Sequence, residues 1–148
     1  MPKYNSIYRF CSILGWSYRE NVKVEQFANG KSYSFKTNHW GHRVGNKPSF
    51  SKKEVLTLGC SQAMGSGIAA EKCFGQIVAD EMKCTHRNLA VSGFSGVQAM
   101  LACKQYIRKF PSARITAVIY GLWYDHFNRN HRPFLESPNL FAIRRPIS

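Results

Sequence analysis

The chain has 148 residues, a length that suits one ordinary domain and is too short for two with separate cores. It is 44% hydrophobic, 14% aromatic and 20% charged, with 11 Gly and 6 Pro, which excludes a disordered, collagen-like or coiled-coil chain. The formal net charge is +13, but residues 1–53 carry +8, residues 54–128 only +2 and residues 129–148 +3, so the central segment is nearly neutral and a specific nucleic-acid role is not expected.

The opening stretch, Met1 to Glu20, interrupts its short apolar run with Arg9 and Ser12, and no apolar run approaches the roughly 18–20 residues of a membrane-spanning helix. The expectation is a chain without signal peptide or transmembrane segment. The five cysteines are an odd number with no C-x-x-C pair, which favours free thiols in a reducing compartment over zinc or a disulfide framework, and cytoplasmic placement follows. Residues 1–53 read as an irregular or antiparallel segment: aromatics alternate with polar residues, Asn29-Gly30 is a hairpin turn, and Lys31 to Thr37 alternates like a half-buried strand. Gly45 to Lys53, with Pro48, reads as a linker.

From residue 54 the pattern becomes strand, helix, strand, helix, strand. Glu54 to Gly59 is a short apolar run of the kind a parallel strand covered on both faces requires. A Gly-rich turn leads to a helix with Ala70, Phe74, Ile77 and Val78 on one face. Arg87 to Gly93 is the second strand; Val97, Met100, Leu101, Cys103, Ile107 and Phe110 mark a second amphipathic helix, ended by Pro111. Arg114 to Gly121 is the third strand and the most apolar. Strands alternating with helices in this way define an α/β domain over residues 54–148 with a parallel sheet.

In such sheets the working groups gather at the carboxyl ends of the strands. Here those ends are Gly59-Cys60-Ser61-Gln62, Ser92-Gly93-Phe94-Ser95-Gly96 and Gly121-Leu122-Trp123-Tyr124-Asp125-His126. Ser61 stands two residues beyond a buried strand, where its hydroxyl meets the rim of the sheet beside backbone N–H groups; a helix-capping role is the competing reading.

These pieces carry a resemblance. VLTLGCSQAMGSGI resembles the first block of the SGNH/GDSL hydrolase family, and NLAVSGFSGVQAM resembles the second. TNHWGHRV resembles the Asn-x-x-Gly-[Phe/His]-Arg stretch that precedes the first block in one group of these enzymes, and VIYGLWYDHFNRN resembles the third-block region of that group. The four stretches occur in the family's order over about residues 37–130. The resemblance implies a three-layer α/β/α, flavodoxin-like domain and a serine ester hydrolase. Ser61 would be the nucleophile, the N–H groups of Ser61 and Gly93 would hold the oxyanion, and His126 is the best candidate for the base, with His131 second. Asn38, His42, Arg43, Tyr124, Asp125, Arg129 and Asn130 are the candidate substrate-binding residues.

Three departures accompany it. Cys60 replaces the usual Asp, the third-block Asn has no clean counterpart because Tyr124 takes its place, and no Asp-x-x-His follows the third strand. The sheet is therefore expected to be incomplete, with self-association or a missing C-terminal segment as the consequence. The substrate expected is a small-molecule, carbohydrate or lipid ester; the alternative is a catalytically inactive binding module that retains the hydrolase's front half. No cofactor is expected. His39-x-x-His42 has no carboxylate or cysteine beside it to make a metal site, and the glycines of GCSQAMGSG match neither a P-loop nor a dinucleotide fingerprint. The basic flanks are left to an anionic surface.

Overall fold

A computed structural model describes residues 7–28, 30–47 and 51–131, with His131 described in its backbone only. The first four strands form two antiparallel hairpins. β1 (Tyr8–Cys11) pairs with β2 (Gly15–Tyr18), and β3 (Lys23–Ala28) pairs with β4 (Lys31–Lys36) in a register that sets Ala28 opposite Lys31. That register fits the expected turn at residues 29–30, where Gly30 has φ +73°; Asn29 lies outside the described residues, as do residues 48–50 of the expected linker.

The second part is built around β5 (Lys53–Gly59), buried from Glu54 onward, which pairs in parallel with β6 (Thr85–Asn88) on one side and β7 (Arg114–Gly121) on the other. The sheet order is β6-β5-β7, so the chain steps to one side of β5 and then crosses to the other. Between β5 and β6 lie the single turn α1 (Ser61–Met64), a 3₁₀ turn at Ala70–Lys72 and α2 (Phe74–Glu81); α3 (Gly96–Lys109) joins β6 to β7, and α4 (Asp125–His131) follows. Alternation along β5 decides which helix covers which face. Leu56 and Leu58 pack with Ala99, Cys103 and Tyr106 of α3, whereas Val55 packs with Ala79 of α2. The α/β class and the parallel sheet expected from the sequence are thus present.

The hairpins share a core with this sheet. One cluster joins Leu14, Tyr18, Tyr33 and Phe35 to Ala63, Met64, Ala90, Val91, Phe94 and Ala102. The segment after β4 also reaches the sheet itself, because Arg43 bridges Thr37 on one side and Asn88 on the other, covering the outer edge of β6.

Two expectations need correction. The second strand stops at Asn88 rather than reaching Gly93, because the Asn88 Oδ1 accepts the Ala90 N–H and bends the backbone away, while Leu89 and Val91 still donate to Thr57 and Gly59. The helix faces also differ. Phe74, Ile77, Val97, Met100 and Ile107 are exposed; the positions that meet the sheet are Gly75 and Ala79 of α2 and Ala99, Cys103 and Tyr106 of α3, while Ala102 packs into the core shared with the hairpins. Small residues win because the helices lie close to the sheet: a Cβ at Gly75 would stand 2.0 Å from the Thr57 Oγ1.

Candidate functional site

Ser61 follows β5 through a sharp turn. Gly59 has φ +138°, and a Cβ there would lie 2.7 Å from the Ala63 Cβ and 2.9 Å from the Gly121 carbonyl oxygen, so only glycine fits between β5, β7 and α1. Cys60 is fully buried and caps α1 without a side-chain hydrogen bond; the thiol leaves the turn's N–H groups without the acceptor an Asp would supply. Ser61 itself is half-buried. Its hydroxyl and its N–H make no hydrogen bond among the described residues.

What fixes this turn is the far end of α1. The Met64 carbonyl accepts from the Arg43 Nη1 at 2.8 Å, the Asn88 Nδ2 at 3.2 Å and the Cys73 Sγ at 3.5 Å. Arg43 also donates to the Gly65 carbonyl at 2.6 Å and the Ile68 carbonyl at 2.6 Å. Its guanidinium packs over the rings of Tyr33 and Phe35. With Arg43 only 2% exposed, its Nη1 and Nη2 are committed to main-chain carbonyls while Nε is buried without a partner among the described residues, so the guanidinium is closed off from solvent in place of the substrate contact expected of it. Asn38 is likewise a turn-builder, its Oδ1 accepting from the N–H groups of Trp40 and His42, each at 3.0 Å. Asn88 was not singled out in the sequence, although it belongs to the NLAVSG stretch.

Gly93 has φ +83° in the turn after β6, and its N–H makes no hydrogen bond among the described residues. The hairpins hold this turn. The Tyr18 hydroxyl donates to the Ser92 Oγ and accepts from the Ser92 N–H, both at 3.0 Å, and the Trp16 Nε1 donates to the Ser92 carbonyl at 3.1 Å. Burial pushes the Tyr18 phenol pKa strongly up, so the hydroxyl stays protonated.

His126 lies beyond the third strand end, 1% exposed. Its Nδ1 accepts the Trp123 N–H at 3.3 Å and lies 2.8 Å from the Tyr120 hydroxyl. A backbone N–H can only donate, so Nδ1 is unprotonated and the neutral ring carries its proton on Nε2. That Nε2 is buried with no partner among the described residues. Burial, aided by Arg129, lowers the pKa of His126 and keeps it neutral. In this tautomer the buried Nε2 is a hydrogen-bond donor rather than a base, and among the described residues no hydrogen bond joins it to Ser61.

The remaining candidates divide. Asp125 pairs with Arg129 at 2.9 Å within α4, Arg129 donates to the Phe94 carbonyl at 3.2 Å, and the Asn130 Oδ1 accepts the Val97 N–H at 3.2 Å, so two of them tie α4 to the entry of α3 and the third steadies one of those two. Tyr124 is open to solvent at 67% exposure. His42 sits elsewhere, beside Trp40 and Tyr106. The side chain of His131 lies outside the described residues.

No protein-family model matches the chain, and no curated protein matches it closely enough to mark a relative. Among the described residues no helix is long and apolar enough to cross a membrane.

Proposed function

We propose that the carboxyl edge of this sheet is an acyl-ester site of the SGNH hydrolase type, on the first three strands of a flavodoxin-like sheet. The order β6-β5-β7 corresponds to positions 2-1-3 of the doubly wound order, whose ligands bind where the strand order reverses. The observation that carries the reading is the placement of Ser61, straight after the central strand on a turn that only Gly59 permits, with the Gly93 turn and His126 following the two neighbouring strands. In this reading the Ser61 Oγ attacks the acyl carbon, the N–H groups of Ser61 and Gly93 hold the oxyanion, and the ester C–O bond breaks as the alkoxide takes up the serine proton. Water then hydrolyses the acyl-serine. His126 suits the oxyanion as a donor, and serves as base only after its ring proton moves to Nδ1, against the Trp123 N–H.

A second reading, a non-catalytic module that binds the acyl group, is favoured by that tautomer and by the unbonded Ser61 hydroxyl. Intact-mass measurement after exposure to a fluorophosphonate separates the two. Labelling that disappears in Ser61→Ala supports the hydrolase; a folded chain that stays unlabelled supports the binding module, and labelling that persists in Ser61→Ala refutes the nucleophile.

A further inference from the structure

Between the hairpins and α3 lies a cavity of about 140 Å³ whose lining includes none of Ser61, Gly93 and His126, although Val91 and Phe94 of the Gly93 turn form part of it. An apolar cavity of roughly 150 Å³ holds a benzene ring. One wall is aromatic: Trp40 meets Phe110 edge-on at 4.8 Å between ring centres, and Tyr106 lies 4.7 Å from Phe110. The other contributions are cationic. Arg9 and Lys109 line the cavity, the Lys109 Nζ lies 5.9 Å from the centre of the Trp40 ring, and Arg87 stands 5.8 Å from the same ring.

No Asp or Glu is among the described residues that line it. The buried carboxylate nearby, Glu54, is already bound by Arg87 at 2.8 Å and by the Tyr106 hydroxyl at 2.6 Å. His42, also in the lining, has a buried Nδ1 without a partner among the described residues. Burial first, and then the positive charges of Arg87, Lys109 and Arg9, draw the pKa of His42 down to about 4, so this imidazole is neutral in a field made by cations.

We infer that the cavity binds a small aromatic carboxylate, its ring against the wall formed by Trp40, Tyr106 and Phe110 and its charge toward Lys109 and Arg9. A ring-sized space with aromatic walls selects the body of the ligand; Lys109 selects the head, joined by Arg9, whose exposed pair with Glu20 at 3.4 Å a ligand carboxylate can replace. The site shares only His42 with the residues singled out from the sequence, and it does not depend on the hydrolase reading.

Calorimetric titration with benzoate at low salt tests it, together with the Trp40 indole N–H resonance. Benzoate should bind saturably at one site and shift that resonance, while benzyl alcohol and acetate, which lack the charge or the ring, bind at least about fivefold more weakly. Lys109→Gln and Arg9→Gln, both at exposed positions that leave the core intact, should each weaken benzoate about fivefold, the effect of one partly solvated charge. Ser61→Ala should bind benzoate like the parent, which separates this site from the proposed ester site. The proposal is overturned if folded protein shows no saturable binding through the millimolar range, if either analogue binds as tightly as benzoate, or if both charge variants bind like the parent.

Discussion

Arg43 offers the sharpest test of how the Ser61 turn is held, because it is a buried cation whose hydrogen-bond acceptors are all uncharged: the carbonyls of Met64, Gly65 and Ile68, and more weakly the sulfurs of Met64 and Cys73. In Arg43→Ala the Ile68 carbonyl loses its partner; Ile68 is 41% exposed, so water takes over in part and the loss is about 1 kcal/mol. Met64 keeps Asn88 and Cys73, and Gly65 keeps the Ile68 N–H at 3.3 Å, but both give up a charge-assisted bond in a buried setting, about 1–2 kcal/mol together. The side chain vacated, with its guanidinium over the Tyr33 and Phe35 rings, adds about 1 kcal/mol of lost packing. The sum, about 3–4 kcal/mol, is a large share of the stability of an ordinary domain. Arg43→Met restores the stem and buries no charge, so it should lose about half as much. Arg43→Lys keeps the buried charge but cannot fork to three carbonyls and should fare no better than alanine. Urea midpoints by circular dichroism read the series. Lysine within about 0.5 kcal/mol of the parent, or methionine the worst of the three, would refute the claim that the fork, rather than charge or volume, is what matters.

Tyr18→Phe removes a hydroxyl that both donates to and accepts from Ser92 and should cost about 1–2 kcal/mol in the same assay, with faster amide exchange in the 91–94 turn; an unchanged midpoint would mean the hairpins merely lie against that turn. Gly75→Ala places a Cβ 2.0 Å from the Thr57 Oγ1 and 2.5 Å from the His86 Nε2, so it should destabilise by more than about 2 kcal/mol despite the better helix propensity of alanine. His42 and His86 are both held neutral with pKa near 4, chiefly by burial, against an ordinary 6.5. The unfolded chain therefore takes up protons first, and stability that is full above about pH 7 is lost as pH falls through 6.5 toward 4. A urea midpoint that holds constant between pH 7.5 and pH 4.5 would contradict neutral burial of these rings.

β5 was legible because burial on both faces demands an apolar run, which Glu54 to Gly59 supplies; Arg114 to Gly121 was legible as an apolar run too, yet β7 alternates exposed and half-buried positions. Helix positions were legible too, but not their inner faces. Val97, Met100 and Ile107 carry the strongest apolar signal in α3 and point outward, while Ala99 and Ala102 pass as neutral letters and make the contact. Close packing rewards small size, which a hydrophobicity pattern does not record. Ser61, Gly93 and His126 could be located as strand-end residues, but the ring proton of His126 is set by a backbone N–H that has no signature in the sequence. Asn88, and the holding role of Arg43 in place of the substrate contact expected of it, escaped for a related reason. Their common acceptor is the Met64 carbonyl, and every residue has a carbonyl.

The same contacts bear on the charge. Arg9 reaches the Tyr18 carbonyl and Glu20, Arg19 the Tyr8 carbonyl, Arg43 the α1 carbonyls, Arg87 Glu54, and Arg129 Asp125 and the Phe94 carbonyl. Those arginines direct guanidinium nitrogens at acceptors inside the molecule, as planar forks suited to holding main-chain turns. The lysines at 23, 31, 47, 53, 72, 83 and 104 are instead exposed, dispersed over both parts of the chain. A nucleic-acid surface needs cations gathered on one face, with the arginine forks free for phosphate. The basic first segment is better understood as a frame. Arg43, Tyr18 and Trp16 all come from it, and through the Met64 carbonyl and Ser92 they hold the two turns that present Ser61 and Gly93. Cutting that segment away should loosen the strand ends before it unpairs the sheet, because β5 keeps both of its parallel neighbours while the turns lose every tie from the first segment.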